Sequence, residues 1–121
     1  MNLFAKLQER KDNPLRIGLI GAGKFAAMYL AQLPKTPGVR LTAIADLAPA
    51  NAKTNLERVG WSPASIAATA ISQDWQKLVS NPDIDIVIEA TGNPVAAVEH
   101  ILAAFKHGKH VVNVTVEADA F

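Results

Sequence analysis

Hydrophobic positions along this chain alternate between two rhythms. Residues 15 to 20, Leu-Arg-Ile-Gly-Leu-Ile, make a short apolar run that stops on glycine. From Lys24 to Leu33 the apolar side chains Phe25, Met28, Tyr29 and Leu33 return at helical spacing. The pattern predicts strand, tight turn and helix. Pro34 stops that helix, and Pro37-Gly38 turns the chain into a second apolar run, Val39 to Ala45. Pro49 to Val59 reads as a second helix, with proline at its start and Gly60 just past its end. Trp61 to Ile71 fits a short third strand or a helix tail, and the strand is preferred. Asp74 is placed to cap a short helix carrying Trp75, Leu78 and Val79. Ile84 to Ala90, rich in β-branched residues, predicts a fourth strand. The loop Thr91-Gly92-Asn93-Pro94 follows, then a helix over Pro94 to Lys106 with Val95, Val98, Ile101, Leu102 and Phe105 on its buried side. Gly108 ends that helix, and His110 to Val116 predicts a fifth strand. Ahead of all this, Leu3, Phe4 and Leu7 at helical spacing predict a short amphipathic helix over residues 2 to 12, ended by Asn13-Pro14.

Strands alternating with helices through short connections predict an α/β fold: a doubly wound parallel sheet of about five strands with right-handed crossovers, preceded by a short N-terminal helix. Residues 1–14 form the lead-in and 15–121 a single sheet domain. At 121 residues, half of them hydrophobic and 19% charged, the chain suits one soluble globular domain and not a disordered segment. A net charge of +1 gives no electrostatic reason to bind nucleic acid or an anionic membrane. No apolar run reaches membrane-spanning length, and the first residues lack the charged and apolar regions of a signal peptide, so the expected location is cytoplasmic. With no cysteine there is neither a disulfide framework nor a thiolate site.

Candidate chemistry sits at the carboxyl ends of the strands, where an open parallel sheet forms its ligand crevice. Gly21 and Gly23 fill the first two positions of a G-x-G-x-x-G/A phosphate-binding turn and Ala26 the third. Gly21 permits the tight turn, Gly23 has no Cβ to block a pyrophosphate, and the helix N-terminus offers backbone N–H groups to that anion. Ala22, Lys24 and Phe25 belong to the same cofactor-binding turn; Lys24 reads equally well as a solvated first-turn lysine. Asp46 lies 23 residues beyond Gly23, at the end of strand two, where a carboxylate can accept hydrogen bonds from ribose hydroxyls. Its competing reading is the N-cap of the second helix. Thr91, Gly92 and Asn93 form a third converging loop, expected to reach the nicotinamide ribose. The three loops together point to a dinucleotide, and the carboxylate of Asp46 points to NAD in preference to NADP. Glu89 is the most unusual polar placement, a carboxylate near the end of a buried strand, either satisfied in the core or facing the crevice. Glu117 and Asp119 follow the last strand as acids facing the crevice or exposed. Glu89 and Glu117 are the candidates for catalysis. His107 suits a helix C-terminus, His100 is expected on the helix surface and His110 at a strand start; no histidine and carboxylate show metal-ligand spacing.

The assembled motifs Ile17-Gly-Leu-Ile-Gly-Ala-Gly-Lys-Phe25, Ala45-Asp46, Asp85-Ile-Val-Ile-Glu-Ala-Thr-Gly-Asn-Pro94 and Gly108-Lys-His-Val-Val-Asn-Val-Thr-Val-Glu-Ala-Asp119 resemble the N-terminal Rossmann domain of homoserine dehydrogenase-like oxidoreductases, more distantly the Gfo/Idh/MocA dehydrogenases. The lead-in and the Glu-Ala-Asp ending are most similar to the SAF-domain branch, which includes 1-deoxy-D-xylulose 5-phosphate reductoisomerase-like enzymes. The resemblance implies a nicotinamide cofactor, NAD or NADP, a small-molecule substrate, a homo-oligomer, and a further substrate domain that these residues do not encode. It also shows a departure: where Gfo/Idh/MocA proteins carry Glu-Lys-Pro, this chain has Glu117-Ala118-Asp119, so lysine-based chemistry does not carry over. The reductoisomerase-like members use NADPH, against the NAD expectation from Asp46. The expected function is the NAD(P)-binding domain of an oxidoreductase, inactive by itself; the alternatives are a non-catalytic dinucleotide-sensing module and a nucleotide-sugar or methyl-donor binder on the same fold.

Overall fold

The computed structural model describes residues 13–23 and 26–114, apart from the Met28 side chain. The expected lead-in helix over 2 to 12, Lys24, Phe25, Glu117 and Asp119 lie outside the described residues. Five parallel strands form one sheet in the order β3-β2-β1-β4-β5: β1 Leu15–Ile20, β2 Val39–Ala45, β3 Ala70–Ser72, β4 Ile86–Glu89 and β5 His110–Asn113. This is the Rossmann arrangement, in which the chain winds outward from β1 in both directions.

The helices are α1 Ala27–Gln32, α2 Pro49–Arg58, α3 Pro63–Ala67, α4 Trp75–Ser80 and α5 Pro94–Lys106. Two cores flank the sheet. On one face Leu30 of α1 and Ala52 and Leu56 of α2 pack on Ile17, Leu19, Leu41, Ile44 and Ile88. On the other, Leu78 and Val79 of α4 and Ala104 of α5 pack on Ile20, Ala43, Ala45 and Val87. Helix starts follow local chemistry: Asp74 accepts from the Lys77 N–H at 3.0 Å, Asn93 from Ala96 at 3.1 Å, and prolines open α2, α3 and α5.

The sheet edge opposite the crevice is closed by charge. Arg16 grips Asp85 through Nε at 3.2 Å and Nη2 at 3.1 Å, locking the starts of β1 and β4. Lys109 Nζ donates to the carbonyls of Asn81 and Ile84, both at 2.6 Å, and so holds the turn before β4.

Several expectations need correction. The stretch after Trp61 contains both alternatives, helix α3 and then strand β3, because Ser62 caps a turn that Pro63 opens before Ala70 joins the sheet. Helix α1 buries Leu30, and its N-cap Ala26 is buried too, while Tyr29 stays 38% exposed. Strand β4 begins at Ile86, because Asn81 to Asp85 are occupied by a turn and the Arg16 contact. In α5 the buried face is Ala97, His100 and Ala104, whereas Val95, Leu102 and Phe105 are exposed. Val98 and Ile101 are half-buried beside them, so the covered face is shifted from the expected stripe and overlaps it only in part. Replacing Leu56, fully buried, by Ala should therefore cost about 2–5 kcal/mol, while Leu102→Ala should stay within about 0.5 kcal/mol. Urea denaturation of both variants checks this, and a large loss at Leu102 would contradict the orientation of α5.

Candidate cofactor site

The glycine turn is shaped by its neighbours. As β1 leaves the sheet at Gly21, its φ is +89°, and a Cβ there would meet the Ala90 carbonyl oxygen and the Thr91 Cα, each at 2.8 Å. Both the left-handed conformation and the approach of the backbone that follows β4 require glycine. Gly23 differs: a Cβ would find nothing within 4 Å among the described residues. Among the described residues nothing at this position demands glycine, and the space beside it is open to a ligand. Ala26, at the third motif position, is completely buried against the sheet core.

The Ala22 peptide between the glycines is pinned on both sides. Its N–H donates to Asp46 Oδ2 at 2.8 Å, and its carbonyl accepts from Asn55 Nδ2 at 2.7 Å. Asp46 Oδ1 accepts from the Ala48 N–H at 2.8 Å. Asp46 is therefore not the cap of α2, whose N-cap is Ala48; it ties the end of β2 to the glycine turn. Each carboxylate oxygen keeps further acceptor capacity. Asn55 was not anticipated, although a polar side chain beside Ala52 and Leu56 on the buried stripe of α2 was a signal for it. Trp61 was also missed; its indole N–H donates to the Leu30 carbonyl at 2.6 Å and secures the end of α1.

These elements frame a crevice of about 610 Å³ at the carboxyl edge of the sheet. Gly21, Gly23, Asp46, Thr91 and Asn93 line it together with Leu47, Trp75, His100 and the carboxylate of Glu99. Gly92 lies between the last two loop residues, with φ +73°. The three predicted loops thus converge on one space.

Glu89 lies beneath that crevice, in the core. Its side chain is fully buried, pairs with His100 Nδ1, and accepts from the Thr91 N–H at 2.8 Å and the Thr91 hydroxyl at 2.6 Å. Of its two readings the satisfied core carboxylate holds. His100 is corrected from surface to buried, at 7% exposure. Burial alone would raise the Glu89 pKa, but the hydrogen bonds from His100 and Thr91 outweigh it and hold the carboxyl below its ordinary value. His107 is the exposed C-cap of α5 and His110 opens β5, both as expected. Among the described residues no group of three or more His, Asp or Glu could hold a metal, and no helix is long and apolar enough to cross a membrane.

The chain belongs to the Gfo/Idh/MocA oxidoreductase family with an NAD-binding Rossmann fold, whose family model matches residues 15–113. It is 32% identical over 102 residues to a glycosyl hydrolase family 109 protein of Porphyromonas gingivalis, an alignment covering 83% of this chain and 22% of that protein. Among solved structures, the myo-inositol dehydrogenase of Lactobacillus casei in complex with NAD(H) and myo-inositol superposes with a TM-score of 0.66 at 21% identity, over 83% of this chain and 28% of that one. A 3-ketoreductase from Actinomadura kijaniata in complex with NADP does so with a TM-score of 0.66 at 29% identity, over 84% and 30%. The chain therefore spans about a fifth of the length of the curated relatives it matches. The family finding bears out the coarser expectation, an NAD(P)-binding Rossmann domain of a Gfo/Idh/MocA oxidoreductase.

Two predictions follow from this geometry. Gly21→Ala should lose about 2 kcal/mol or more from strain and backbone overlap, whereas Gly23→Ala should stay within about 1 kcal/mol, both read by denaturant unfolding. Because the folded pKa of Glu89 is depressed, the unfolded chain takes up the extra proton; the group's stabilisation is complete above about pH 4.5 and is lost as pH falls through the folded value. Glu89→Gln should be less stable at pH 7 by about 1–3 kcal/mol and show a shallower acid limb, measured by thermal melts from pH 7 down to about pH 3.

Proposed function

We propose that this chain is the cofactor domain of a larger nicotinamide-dependent oxidoreductase, with the substrate held by sequence beyond these residues. The observation that carries the reading is the convergence of three loops, at Gly21 and Gly23, at Asp46, and at Thr91 and Asn93, on one crevice. In this reading Gly21, Ala22, Gly23 and Ala26, with Lys24 and Phe25, hold the pyrophosphate turn. Asp46 receives the adenosine ribose through its remaining acceptor capacity, and Thr91, Gly92 and Asn93 serve the nicotinamide ribose. The bound nicotinamide supplies the hydride donor or acceptor. Glu89 has no direct part in that chemistry, since it is buried and fully engaged by hydrogen bonds. Glu117 is retained as a candidate.

Residues 1–14 are assigned as a lead-in and 15–121 as the dinucleotide domain, placed in the cytoplasm. The finer affiliation with homoserine dehydrogenase-like enzymes of the SAF-domain branch rests on Glu89-Ala-Thr-Gly-Asn-Pro94 and the Glu117-Ala-Asp119 ending. A small-molecule substrate and a homo-oligomer complete this reading of the whole protein. NAD is the preferred cofactor, because Asp46 would meet a 2′-phosphate with like charge.

Calorimetric titration tests the assignment. NAD should bind more tightly than NADP, by on the order of 1 kcal/mol, and Gly23→Val should abolish binding of both without unfolding the chain. Asp46→Ala should weaken both dinucleotides, since it also frees the Ala22 peptide. Equal binding by the wild-type chain and Gly23→Val would overturn the reading.

A further inference from the structure

The buried carboxylate of Glu89 does more than fill space in the core. It closes a hydrogen-bonded circuit around one wall of the crevice. One oxygen meets His100 Nδ1 on α5; the other accepts both the N–H and the hydroxyl of Thr91. The Thr91 hydroxyl oxygen in turn accepts from the Asn93 N–H at 3.2 Å, and Asn93 Oδ1 caps α5 at Ala96. His100 lies seven residues, about two turns, further along the same helix. The circuit thus leaves α5 at its cap, passes through the loop and the end of β4, and returns to α5 at His100.

His100 has a second neighbour. Its ring packs on Trp75 of α4, with centroids 4.5 Å apart and planes tilted by 56°, and both rings line the crevice. One buried pair therefore backs the Thr91–Asn93 loop and an aromatic wall at once. An apolar pair of similar volume would pack this position without the desolvation cost of a carboxylate, but it would leave the Thr91 N–H and hydroxyl without their acceptor.

We propose that Glu89 and His100 are positioning residues for the dinucleotide: together they hold the Thr91–Asn93 loop and Trp75 in a binding-ready arrangement, and affinity depends on that preorganisation. The proposal rests on the dinucleotide reading above. Ionised Glu89 accepts the Nδ1–H of His100, so the loop is ordered before ligand arrives and binding does not have to order it. The Thr91 hydroxyl proton is spent on Glu89 inside the circuit, so toward a ligand its oxygen can only accept, while Asn93, whose oxygen caps α5, can offer its Nδ2 donors.

The test titrates NAD calorimetrically into the wild-type chain, His100→Leu, His100→Asn and Thr91→Val, with folding checked by circular dichroism and Thr91 amide hydrogen exchange followed by NMR. His100→Leu should weaken NAD about tenfold or more and accelerate Thr91 exchange, while His100→Asn, whose amide restores a donor near the Nδ1 position, should recover affinity to within about threefold. A folded His100→Leu that binds NAD as the wild type does would overturn the proposal. If His100→Leu does not fold, Thr91→Val decides, since it removes only the hydroxyl link: weaker NAD binding with faster loop exchange supports the positioning role, and unchanged affinity sinks it. Failure of the wild-type chain to bind either dinucleotide would overturn the proposed function and this inference together, whereas normal wild-type binding with unaffected variants overturns the inference alone.

Discussion

The architecture depends on how β1 leaves the sheet. At Gly21 the backbone turns with positive φ directly against the carbonyl of Ala90, just past β4, so close that any side chain would overlap it. That approach lets β1 sit at the centre of the sheet and still release its chain at the crevice mouth. The next peptide, Ala22, is then held from two directions, by the carboxylate at the end of β2 and by the amide of Asn55 on α2. Three separate segments therefore meet at the turn, and its shape depends on all of them.

Three polar side chains near the crevice, Asp46, Glu89 and Asn93, satisfy the protein's own backbone. Asp46 accepts two backbone N–H groups, Glu89 accepts two donors from Thr91, and Asn93 caps α5. In a partly buried place an unpaired N–H or carboxylate costs more than the net gain of a typical hydrogen bond, so side chains that look like ligand contacts in the sequence carry structural duties as well. Substitutions at such positions consequently affect stability and binding together, and the two have to be measured apart. Gly23 differs, since none of the described residues crowds it.

Much of this was legible from residue order. The alternation of short apolar runs with helical stripes, punctuated by Pro34, Pro49, Gly60, Asp74 and Gly108, determined the five parallel strands, most of the helices and the convergence of three loops. These features are local: a turn glycine, a cap or a β-branched run acts within a few residues of itself. Gly21, Gly23, Ala26 and Asp46 were identifiable because their spacing along the chain is set by the length of one strand–turn–helix unit. The family match to residues 15–113 reflects the same pattern.

Tertiary structure decided which way each helix faces and what each buried polar group meets. Periodicity marks an apolar stripe, but the way α5 packs in the fold selects Ala97, His100 and Ala104 for burial and leaves Leu102 and Phe105 outside. Glu89 and His100 are eleven residues apart, and only the β4–α5 crossover brings them into contact. Asn55 and Asp46 reach Ala22 across 33 and 24 residues. The sequence by itself determined the order of elements and the place of the glycine turn, because those follow from local backbone preference; the partners of Asp46, Asn55, Glu89 and His100 were decided by packing, because a buried hydrogen bond depends on which distant backbone group the fold carries within reach.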